Sequence, residues 1–252
     1  MSDRTVVVLP TYNEKESLSD TIERIVTSAS HVDILVVDDN SPDGTGQLAD
    51  RLALANPRIH VLHRAQKAGL GAAYLEGFAW ARDVGYDVIV ECDADGSHHP
   101  EELHRLLEAL DNHDMAIGSR WVFGGSVVNW PRSRELLSRG GSAYARVLLR
   151  LPQRDVTGGY RAFRASALVA IGLDNVTSQG YCFQIEMLWR ANRAGLRIAE
   201  VPITFTERRW GVSKMRGMIV IEAMARVTVW GVRTIFEKQS VAVASSSEPS
   251  RV

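Results

Sequence analysis

The sequence has few cysteines, almost no excess charge and no long apolar segment near its start. Cys92 and Cys182 are the only two cysteines in 252 residues, so we expect a reduced, cytoplasmic protein and no disulfide framework. The formal net charge is -1. Nucleic acid is therefore a poor candidate partner, because binding its phosphates needs many unopposed Lys and Arg side chains. The opening residues, MSDRTVVVLP, contain an apolar run too short for a signal peptide or a membrane span.

Short apolar runs alternate with helical patterns in the first half of the chain. The runs cover Thr5–Leu9, Ile34–Val37, Ile59–Leu62, Val88–Val90 and Met115–Ile117. Buried strands separated by helices are typical of a mainly parallel α/β sheet with helices on both faces. We expect Asn13 to cap the first helix, with Glu16 completing a capping box. Pro100 is predicted to stand at the first position of the fourth helix.

The second half of the chain is less regular. Gly124–Arg134 is predicted to be a loop, and Leu136–Leu149 and Gln184–Arg193 are predicted to be helices. A long apolar helix is predicted over Met215–Glu237, with its charged residues on one narrow arc. Such a helix is too highly charged to span a bilayer, and we expect it to lie at a membrane surface or to dock a membrane partner.

Three of the predicted strands end in polar segments. These segments are PTYNE (Pro10–Glu14), VDDNSPDG (Val37–Gly44) and DADGSHHP (Asp93–Pro100). Ligands of open α/β sheets bind beyond the carboxyl ends of the strands, so we expect the three segments to share one rim. Acidic residues and Asn also cap helices at such places, but three segments with more acids than capping needs favour a binding site.

The carboxylates of Asp93 and Asp95 are spaced i, i+2 and are candidate metal ligands. An EF-hand calcium loop is excluded because His98 and His104 stand where Gly and Glu are required. Zinc at Asp95, His98 and His99 is disfavoured, since adjacent histidines at the start of a helix usually point apart. Two carboxylates, completed by phosphate oxygens and water, suit Mg²⁺ or Mn²⁺.

Two further motifs bear on anion binding. Gly69 and Gly71 resemble part of a dinucleotide fingerprint, but the third glycine is missing, and we interpret the segment as a tight turn near a ligand. Arg134 and Ser138 are spaced i, i+4, so a helix starting there would put both on one face. Together with Arg120 they could hold a phosphate, because a guanidinium suits bidentate contacts.

In these motifs the sequence resembles the polyprenol-phosphate (dolichol-phosphate) mannosyltransferases, inverting glycosyltransferases with the GT-A fold. The resemblance runs from Pro10 to Met215. It includes VDDNSPDGT, KAGLGAA, DADGSHHP, NWPRSR, DVTGGYR and EVPITFTER. It implies a GT-A domain over residues 1–214. The amphipathic helix at 215–238 follows this domain, and the small-residue composition of residues 239–252 predicts a disordered tail.

The resemblance also assigns roles to individual residues. The nucleotide pocket would be lined by Pro10, Tyr12, Glu14, Val37 and Asp39. The metal would be held by Asp93 and Asp95, with Ser97 standing where many relatives have a glutamine ligand. The backbone of Ala94 would touch the nucleotide, and Arg208 and Lys214 would close over the donor diphosphate. The acceptor phosphate would meet Arg120, Arg134 and Ser138.

The implied reaction is transfer of mannose from GDP-mannose to a polyprenyl phosphate with inversion. A lipid phosphate is already an oxyanion near neutral pH, so the reaction needs no general base. It needs cations that hold two mutually repelling anionic groups in place, and the Arg and Lys side chains of this sequence can supply them. The alternatives are a UDP-glucose-dependent glucosyltransferase, a metal-dependent nucleotidyltransferase and a non-catalytic nucleotide-sugar module. We expect peripheral association with the cytoplasmic face of a membrane, directly or through a membrane-anchoring partner.

Overall fold

The computed structural model describes residues 3–178, 180–208 and 223–233, apart from the side chain of Tyr181. The strands in these ranges are β1 (Thr5–Thr11), β2 (Asp33–Asp38), β3 (Ile59–His63), β4 (Val88–Glu91), β5 (Met115–Ser119), β6 (Ser126–Val128), β7 (Arg161–Arg164), β8 (Ile198–Pro202) and β9 (Thr204–Thr206). The helices are α1 (Leu18–Ser28), α2 (Thr45–Ala55), α3 (Leu70–Val84), α4 (Leu103–Ala109), α5 (Arg132–Leu149), α6 (Ala165–Ile171) and α7 (Tyr181–Arg193). Residues 223–233 form a further helix, called here the final helix.

One seven-stranded sheet organises the fold, in the order β3-β2-β1-β4-β7-β5-β8. Strand β7 runs antiparallel to β4 and β5, and the other neighbours are parallel. Strands β6 and β9 form a separate parallel pair. The prediction of a mainly parallel α/β sheet is confirmed.

Alternate residues of the central strands supply two cores, one on each face of the sheet. Val6 and Val8 of β1 pack on one face with residues of α3, α5 and α7. Val7 and Leu9 pack on the other face with residues of α1, α2 and α4. Helix α3 lies so close to the sheet that a Cβ on Gly77 would come within 2.6 Å of Val8 Cγ1. Helices therefore cover both faces, as predicted.

The predicted start of the first helix is wrong. Asn13 adopts a left-handed conformation with φ of 59°, and α1 begins at Leu18 with Ser17 at the N-cap position. The backbone N–H of Asn13 donates to Ser41 Oγ at 3.1 Å, while Ser17 Oγ donates to the carbonyl oxygen of Glu14 at 3.2 Å. The segment that follows β1 is therefore held against β2 by tertiary contacts, which local capping rules do not consider.

Two other boundaries differ in part from the predictions. Pro100 begins a short 3-10 turn (Pro100–Glu102) that leads into α4, close to the predicted helix start. The predicted loop at Gly124–Arg134 contains β6 and the first turn of α5. Strand β6 pairs with β9, about eighty residues away in the chain, and such a distant partner is not visible in local periodicity.

The final helix packs on its own domain. Val227 is 1% exposed, and a Cβ on Gly231 would come within 3.0 Å of the carbonyl oxygen of Leu148. No helix in the described part of the chain is long and apolar enough to cross a membrane. The rest of the predicted helix over Met215–Glu237, and the predicted tail at 239–252, lie outside the described residues.

Glu91, at the end of β4, is expected to make stability depend on pH. It is fully buried, and burial raises its pKa to about 7 although Arg161 and Gln184 oppose the shift. The ionised form costs free energy in the folded state, so the unfolding free energy should fall as pH rises from about 4.5 to about 7. Chemical denaturation at pH 5 and pH 8 should show a smaller difference for Glu91→Gln than for the wild type. An equal difference in both proteins would contradict the assignment.

Candidate active site

The centre of the sheet contains a topological switch point. From β1 the chain moves to β2 and β3 on one side, and it later returns to β4 on the other side. The carboxyl ends of β1 and β4 therefore border a crevice, where open α/β sheets bind ligands. Thr11 Oγ1 donates to Asp38 Oδ1 at 3.1 Å, and Thr21 Oγ1 donates to the carbonyl oxygen of Ala94 at 3.2 Å. The three polar strand ends are thus gathered at one edge, as expected.

Asp39 organises the glycine-containing turn beside this crevice. Its buried carboxylate accepts backbone N–H bonds from Ala68 and Gly69, the shorter at 2.8 Å, and it forms an ion pair with Arg64 at 2.5 Å. Gly69 has φ of 94°, a conformation that other residues adopt only with strain. The predicted tight turn is confirmed, and Asp39 fixes its position.

The other predicted nucleotide-binding residues lie at the ends of β1 and β2. Pro10 and Val37 are buried register partners in these two strands. Tyr12 lies at the rim, where Lys67 Nζ is 3.5 Å from the centre of its ring. Glu14 Oε2 accepts a hydrogen bond from Ser17 Oγ at 3.2 Å. The four residues border the crevice, and their contact with a nucleotide stays a prediction.

Asp93 is held by Tyr74 and lies close to the backbone of Gly159. The hydroxyl of Tyr74, on α3, donates to Asp93 Oδ1 at 3.2 Å. Gly159 lies opposite, where a Cβ would be 3.8 Å from Asp93 Oδ2. Burial, reinforced by the neighbouring charge of Asp95, raises the pKa of Asp93. The carboxylate is therefore fixed by a hydrogen bond at a place where a cation would stabilise its ionised form.

His98 supports the turn that carries these carboxylates. Its Nδ1 accepts the backbone N–H of Asp93 at 3.0 Å, and its ring stacks on Tyr160 with centres 5.0 Å apart. Burial lowers its pKa, so the ring is held neutral with Nδ1 as the acceptor. His99 turns away and contacts Thr206 Oγ1 at 2.8 Å. The two histidines have separate partners, which agrees with the argument against zinc.

The oxygen donors around Asp95 fit a hard divalent cation that is shared with phosphate. Asp95 Oδ1 accepts the backbone N–H of Ser97 at 3.0 Å, and Asp95 Oδ2 lies 3.2 Å from Arg208 Nη2. Ser97 Oγ is buried without a hydrogen-bond partner in the structure. Buried hydroxyl oxygens normally have a partner, which can be a water or an ion, so Ser97 is available as a metal ligand. No group of three or more His, Cys, Asp or Glu side chains that could hold a metal occurs among the described residues. The set of two carboxylates and a hydroxyl suits Mg²⁺ or Mn²⁺ whose remaining ligands come from a diphosphate.

Tyr74→Phe tests the support of Asp93. Loss of one hydrogen bond to a ligand typically weakens metal affinity roughly tenfold to a hundredfold. We expect the concentration of Mn²⁺ needed for half-maximal activity to rise by about tenfold, with little change in thermal stability. Tyr86→Phe is the matched control, because its hydroxyl donates to Asp33 Oδ2 at 2.6 Å, away from the crevice. A similar shift in both variants would contradict the assigned role of Tyr74.

A cluster of tryptophans and arginines borders the crevice on the side of α5. Trp121 and Trp130 meet edge to face with ring centres 6.3 Å apart, and Trp130 contacts Phe205 at 5.3 Å. Phe205 also meets the ring of His98, at 5.4 Å. Phe205 therefore joins this aromatic cluster to the turn that carries Asp93 and Asp95.

The two predicted phosphate-binding arginines have different settings in this cluster. Arg120 is buried and forms a bidentate ion pair with Asp155, at 2.8 Å and 2.7 Å. Arg134 pairs with Glu207, and its guanidinium carbon lies 4.1 Å from the centre of the Trp130 ring. Arg134 is partly exposed at the rim. Arg120 is occupied by its ion pair with Asp155 and by contacts with the rings of Trp121 and Trp130. Arg134 is therefore better placed than Arg120 to meet a ligand.

Helix α5 brings Arg134 and Ser138 onto one face, as the i, i+4 spacing predicted. The turn from Val122 to Gly125 precedes it and is closed by a bond from Gly125 N–H to the carbonyl oxygen of Val122 at 2.9 Å. Phe123, in this turn, is 100% exposed, and Leu136 in the first turns of α5 is 71% exposed. Exposed apolar side chains thus lie close in the chain to the candidate phosphate-binding residues.

Sequence reasoning missed several residues that hold the site in place. They are Asp38, Tyr74, Asp155, Tyr160, Phe205 and Glu207. Asp155 opens the motif DVTGGYR, so its motif was noted although its partner was not. Lys214, predicted to contact the diphosphate, lies outside the described residues.

Comparison with known proteins places the chain in a family. The model of glycosyl transferase family 2 matches residues 6–172. A polyprenol monophosphomannose synthase of Mycolicibacterium smegmatis is 57% identical over 92% of the chain and 88% of its own length. An undecaprenyl-phosphate mannosyltransferase of Micrococcus luteus is 55% identical over 93% of the chain and 96% of its own length.

Solved structures confirm the fold. A glucosyl-3-phosphoglycerate synthase from Mycobacterium tuberculosis, in complex with Mn²⁺, UDP and glucosyl-3-phosphoglycerate, matches with a TM-score of 0.64 at 22% identity. The match covers 92% of this chain and 80% of that one. The crevice at the switch point, the family model and these relatives lead to one conclusion: the chain belongs to glycosyl transferase family 2.

Proposed function

We propose that this enzyme transfers mannose from GDP-mannose to a polyprenyl phosphate, giving polyprenyl phosphate-mannose and GDP. The main support for the proposal is that two sites lie side by side and are joined through Phe205, which contacts a residue of each. One is the carboxylate turn with Asp93 and Asp95, and the other is the arginine and tryptophan cluster around Arg134. The names of the two mannosyltransferase relatives support the choice of sugar and of lipid acceptor.

The donor would bind at the carboxyl ends of β1, β2 and β4. Pro10, Tyr12 and Glu14 would line the nucleotide pocket on one side, with Val37 and Asp39 on the other. Asp93, Asp95 and Ser97 would hold Mg²⁺ or Mn²⁺, which stabilises the charge that develops on the leaving diphosphate. Arg208, 3.2 Å from Asp95, would contact the same diphosphate.

The acceptor phosphate would bind at the first turns of α5. Arg134 offers several N–H donors in one plane, and Ser138 one turn later offers a hydroxyl. Arg120 is locked to Asp155, so it would contribute mainly by fixing Trp121 and Trp130, over whose rings its guanidinium lies. Phe123 and Leu136 would provide apolar contact for the polyprenyl chain.

The chemistry requires positioning more than proton transfer. The acceptor phosphate carries its own negative charge, so no side chain has to remove a proton from it. The arginines reduce the repulsion between the two anionic substrates, and the two sites hold them for in-line attack at the anomeric carbon. Such a displacement inverts the configuration of that carbon.

A lipid acceptor requires contact with a membrane. The proposal includes peripheral association with the cytoplasmic face, through apolar and basic surfaces or through a membrane-anchoring protein. The exposed Phe123 and Leu136 support direct contact near the acceptor site.

The test is a transfer assay with a short-chain polyprenyl phosphate and Mn²⁺. GDP-mannose and UDP-glucose are offered in parallel, and the glycolipid is identified by mass spectrometry. We expect transfer from GDP-mannose and little from UDP-glucose. Preferred use of UDP-glucose would replace the proposed donor while leaving the reaction class unchanged.

A further inference from the structure

Two adjacent glycines of the DVTGGYR segment precede β7, and the fold requires only the first of them. A Cβ on Gly158 would come within 2.9 Å of the carbonyl oxygen of Gly118, which is closer than real Cβ atoms approach other atoms. A Cβ on Gly159 would meet its neighbours only at 3.7 Å or more, an ordinary van der Waals contact. The φ of Gly159 is also outside the left-handed region that favours glycine. The packing of the chain therefore explains the glycine at 158 and leaves the one at 159 without a steric reason.

Three side chains surround the point where a Cβ of Gly159 would stand. Gln184 Nε2 and His98 Cε1 each lie 3.7 Å from that point, and Asp93 Oδ2 lies 3.8 Å from it. The carboxylate of Asp93, a proposed metal ligand, is partly exposed. A ligand held at Asp93 would therefore lie beside the backbone of Gly159, where any other residue would add a side chain.

The position of Gln184, in the first turn of α7, is fixed from two sides. The buried Arg161 donates from Nη1 to the carbonyl oxygen of Gln184 and from Nε to that of Gly158, both at 2.8 Å. The preceding residue, Phe183, stacks on Tyr74 with ring centres 5.9 Å apart, and the hydroxyl of Tyr74 binds the carboxylate turn. The start of α7 is therefore tied both to the glycine pair and to the proposed metal ligands.

The side-chain amide of Gln184 is incompletely satisfied. The residue is 4% exposed, and its Oε1 is buried without a hydrogen-bond partner in the structure. Gln184 lowers the pKa of Glu91, an effect of the N–H end of the amide that leaves the oxygen unexplained. Buried amide oxygens normally accept a hydrogen bond. Gln184 therefore keeps an acceptor for a hydroxyl group, on the amide that lies next to Asp93 and Gly159.

The order of the strands indicates which part of the donor would lie at Gly159. The sheet runs β2-β1-β4-β7-β5 across the site. The proposed nucleotide pocket is at the ends of β2 and β1, the proposed metal ligands follow β4, and Arg120 follows β5. Strand β7 is antiparallel to β4, with Arg161 paired to Glu91, so the residues before β7 lie beside those after β4. Gly159 thus stands between the metal ligands and the acceptor side, where the sugar of a nucleotide diphosphate sugar would have to lie.

We propose that Gly159 and Gln184 form the subsite for the hexose of the donor. The sugar ring lies against the backbone of Gly159, and the amide of Gln184 binds one of its hydroxyl groups. This inference rests on the proposed function, in which a sugar is transferred from a nucleotide donor, and it names the residues that recognise the sugar. Gln184 is then a specificity-determining residue, because a buried polar group left unpaired penalises a sugar that lacks the hydroxyl.

The first test compares Gly159→Ala with Gly158→Ala in the full chain. Gly159→Ala should keep the thermal stability of the wild type and its affinity for GDP with Mn²⁺, measured by calorimetry. Its affinity for GDP-mannose and its kcat/KM for this donor should fall by roughly tenfold to a hundredfold, because the added methyl displaces the sugar. Gly158→Ala should instead lose thermal stability, since its Cβ meets the backbone of Gly118. Wild-type use of GDP-mannose by Gly159→Ala, or a loss of stability like that of Gly158→Ala, would overturn the proposal.

The second test pairs Gln184→Met with monodeoxy analogues of GDP-mannose. In the wild type, one analogue should lose roughly tenfold in kcat/KM, the effect of one lost hydrogen bond. Gln184→Met should show a similar loss with GDP-mannose itself and no further loss with that analogue. The control is Gln153→Met, which removes a buried amide bonded to Asn192 at 3.1 Å and should discriminate among the analogues as the wild type does. Equal penalties for every analogue in the wild type and in Gln184→Met would overturn the role of Gln184.

Failure of the subsite is distinguishable from failure of the proposed donor. If the wild type uses UDP-glucose in place of GDP-mannose, the proposed donor fails, and the same comparison is made between UDP and UDP-glucose, since a hexose occupies the subsite in either case. Failure of the subsite appears only in the variants, as unchanged discrimination between sugar nucleotide and nucleotide. A wild type that binds no sugar nucleotide would overturn both.

Discussion

Asp95→Asn is expected to abolish transfer while leaving the fold intact. The substitution keeps the size of the side chain but removes the charge that would hold the metal and face Arg208. Loss of a metal-stabilised leaving group costs several kcal/mol of barrier, which corresponds to a rate loss on the order of a thousandfold or more. Turnover, thermal stability and Mn²⁺ binding in the presence of GDP should be measured together.

Two controls isolate the role of this carboxylate. Asp111→Asn removes an exposed charge after α4 and should leave turnover and Mn²⁺ binding unchanged. Arg208→Gln removes the ion-pair partner of Asp95 but leaves the carboxylate, so it should retain Mn²⁺ binding and lose donor affinity. Turnover of Asp95→Asn within tenfold of the wild type, at equal thermal stability, would show that Asp95 is not required for a metal-held leaving group.

Arg134→Ala is expected to weaken use of the polyprenyl phosphate while leaving donor binding almost unchanged. Charge-assisted hydrogen bonds contribute about 1.5–3 kcal/mol, so the KM of the acceptor should rise by roughly tenfold to a hundredfold. Steady-state kinetics with each substrate varied in turn, together with calorimetry of GDP-mannose binding, separates the two effects. Arg150→Gln, an exposed arginine at the opposite end of α5, is the control.

The pairing of Arg134 with Glu207 provides a sharper form of this test. If Arg134 serves only to neutralise Glu207, then the double variant Arg134→Ala/Glu207→Gln should recover acceptor use. If Arg134 binds the acceptor phosphate, the double variant should stay as impaired as the single one. Recovery in the double variant, or a loss of donor affinity without any change in acceptor kinetics, would reverse the assignment.

The sheet was predictable because its strands carry a strong local signal. The Val- and Ile-rich runs fall within β1 to β5, and the position of the site followed from the rule that ligands bind beyond parallel strand ends. The antiparallel placement of β7 between β4 and β5 was not predictable in this way. It depends on pairing with strands that are far away in the chain, which periodicity does not report.

The sequence predicted which residues belong to the site better than it predicted the residues that each of them contacts. The pair Asp93 and Asp95 stood out because carboxylates at i, i+2 after an apolar run are unusual. The pairing of Arg120 with Asp155, 35 residues later, removes much of the freedom expected of a phosphate-binding arginine. Asn13 was assigned as a helix cap from local sequence, yet its backbone is bound to Ser41 of the neighbouring strand end. For Arg120 and Asn13, a long-range contact decided the outcome.

The most direct measurement is the anomeric configuration of the product formed from GDP-mannose and a short-chain polyprenyl phosphate. The donor carries mannose in the α configuration, so in-line attack by the acceptor phosphate predicts a β-linked mannosyl phosphate. The reaction should require Mg²⁺ or Mn²⁺ and should release one GDP for each glycolipid formed. NMR of the purified glycolipid distinguishes the two anomers. A β-linked product formed only with the divalent cation is the predicted result, and an α-linked product, or equal transfer in the presence of a chelator, would contradict it.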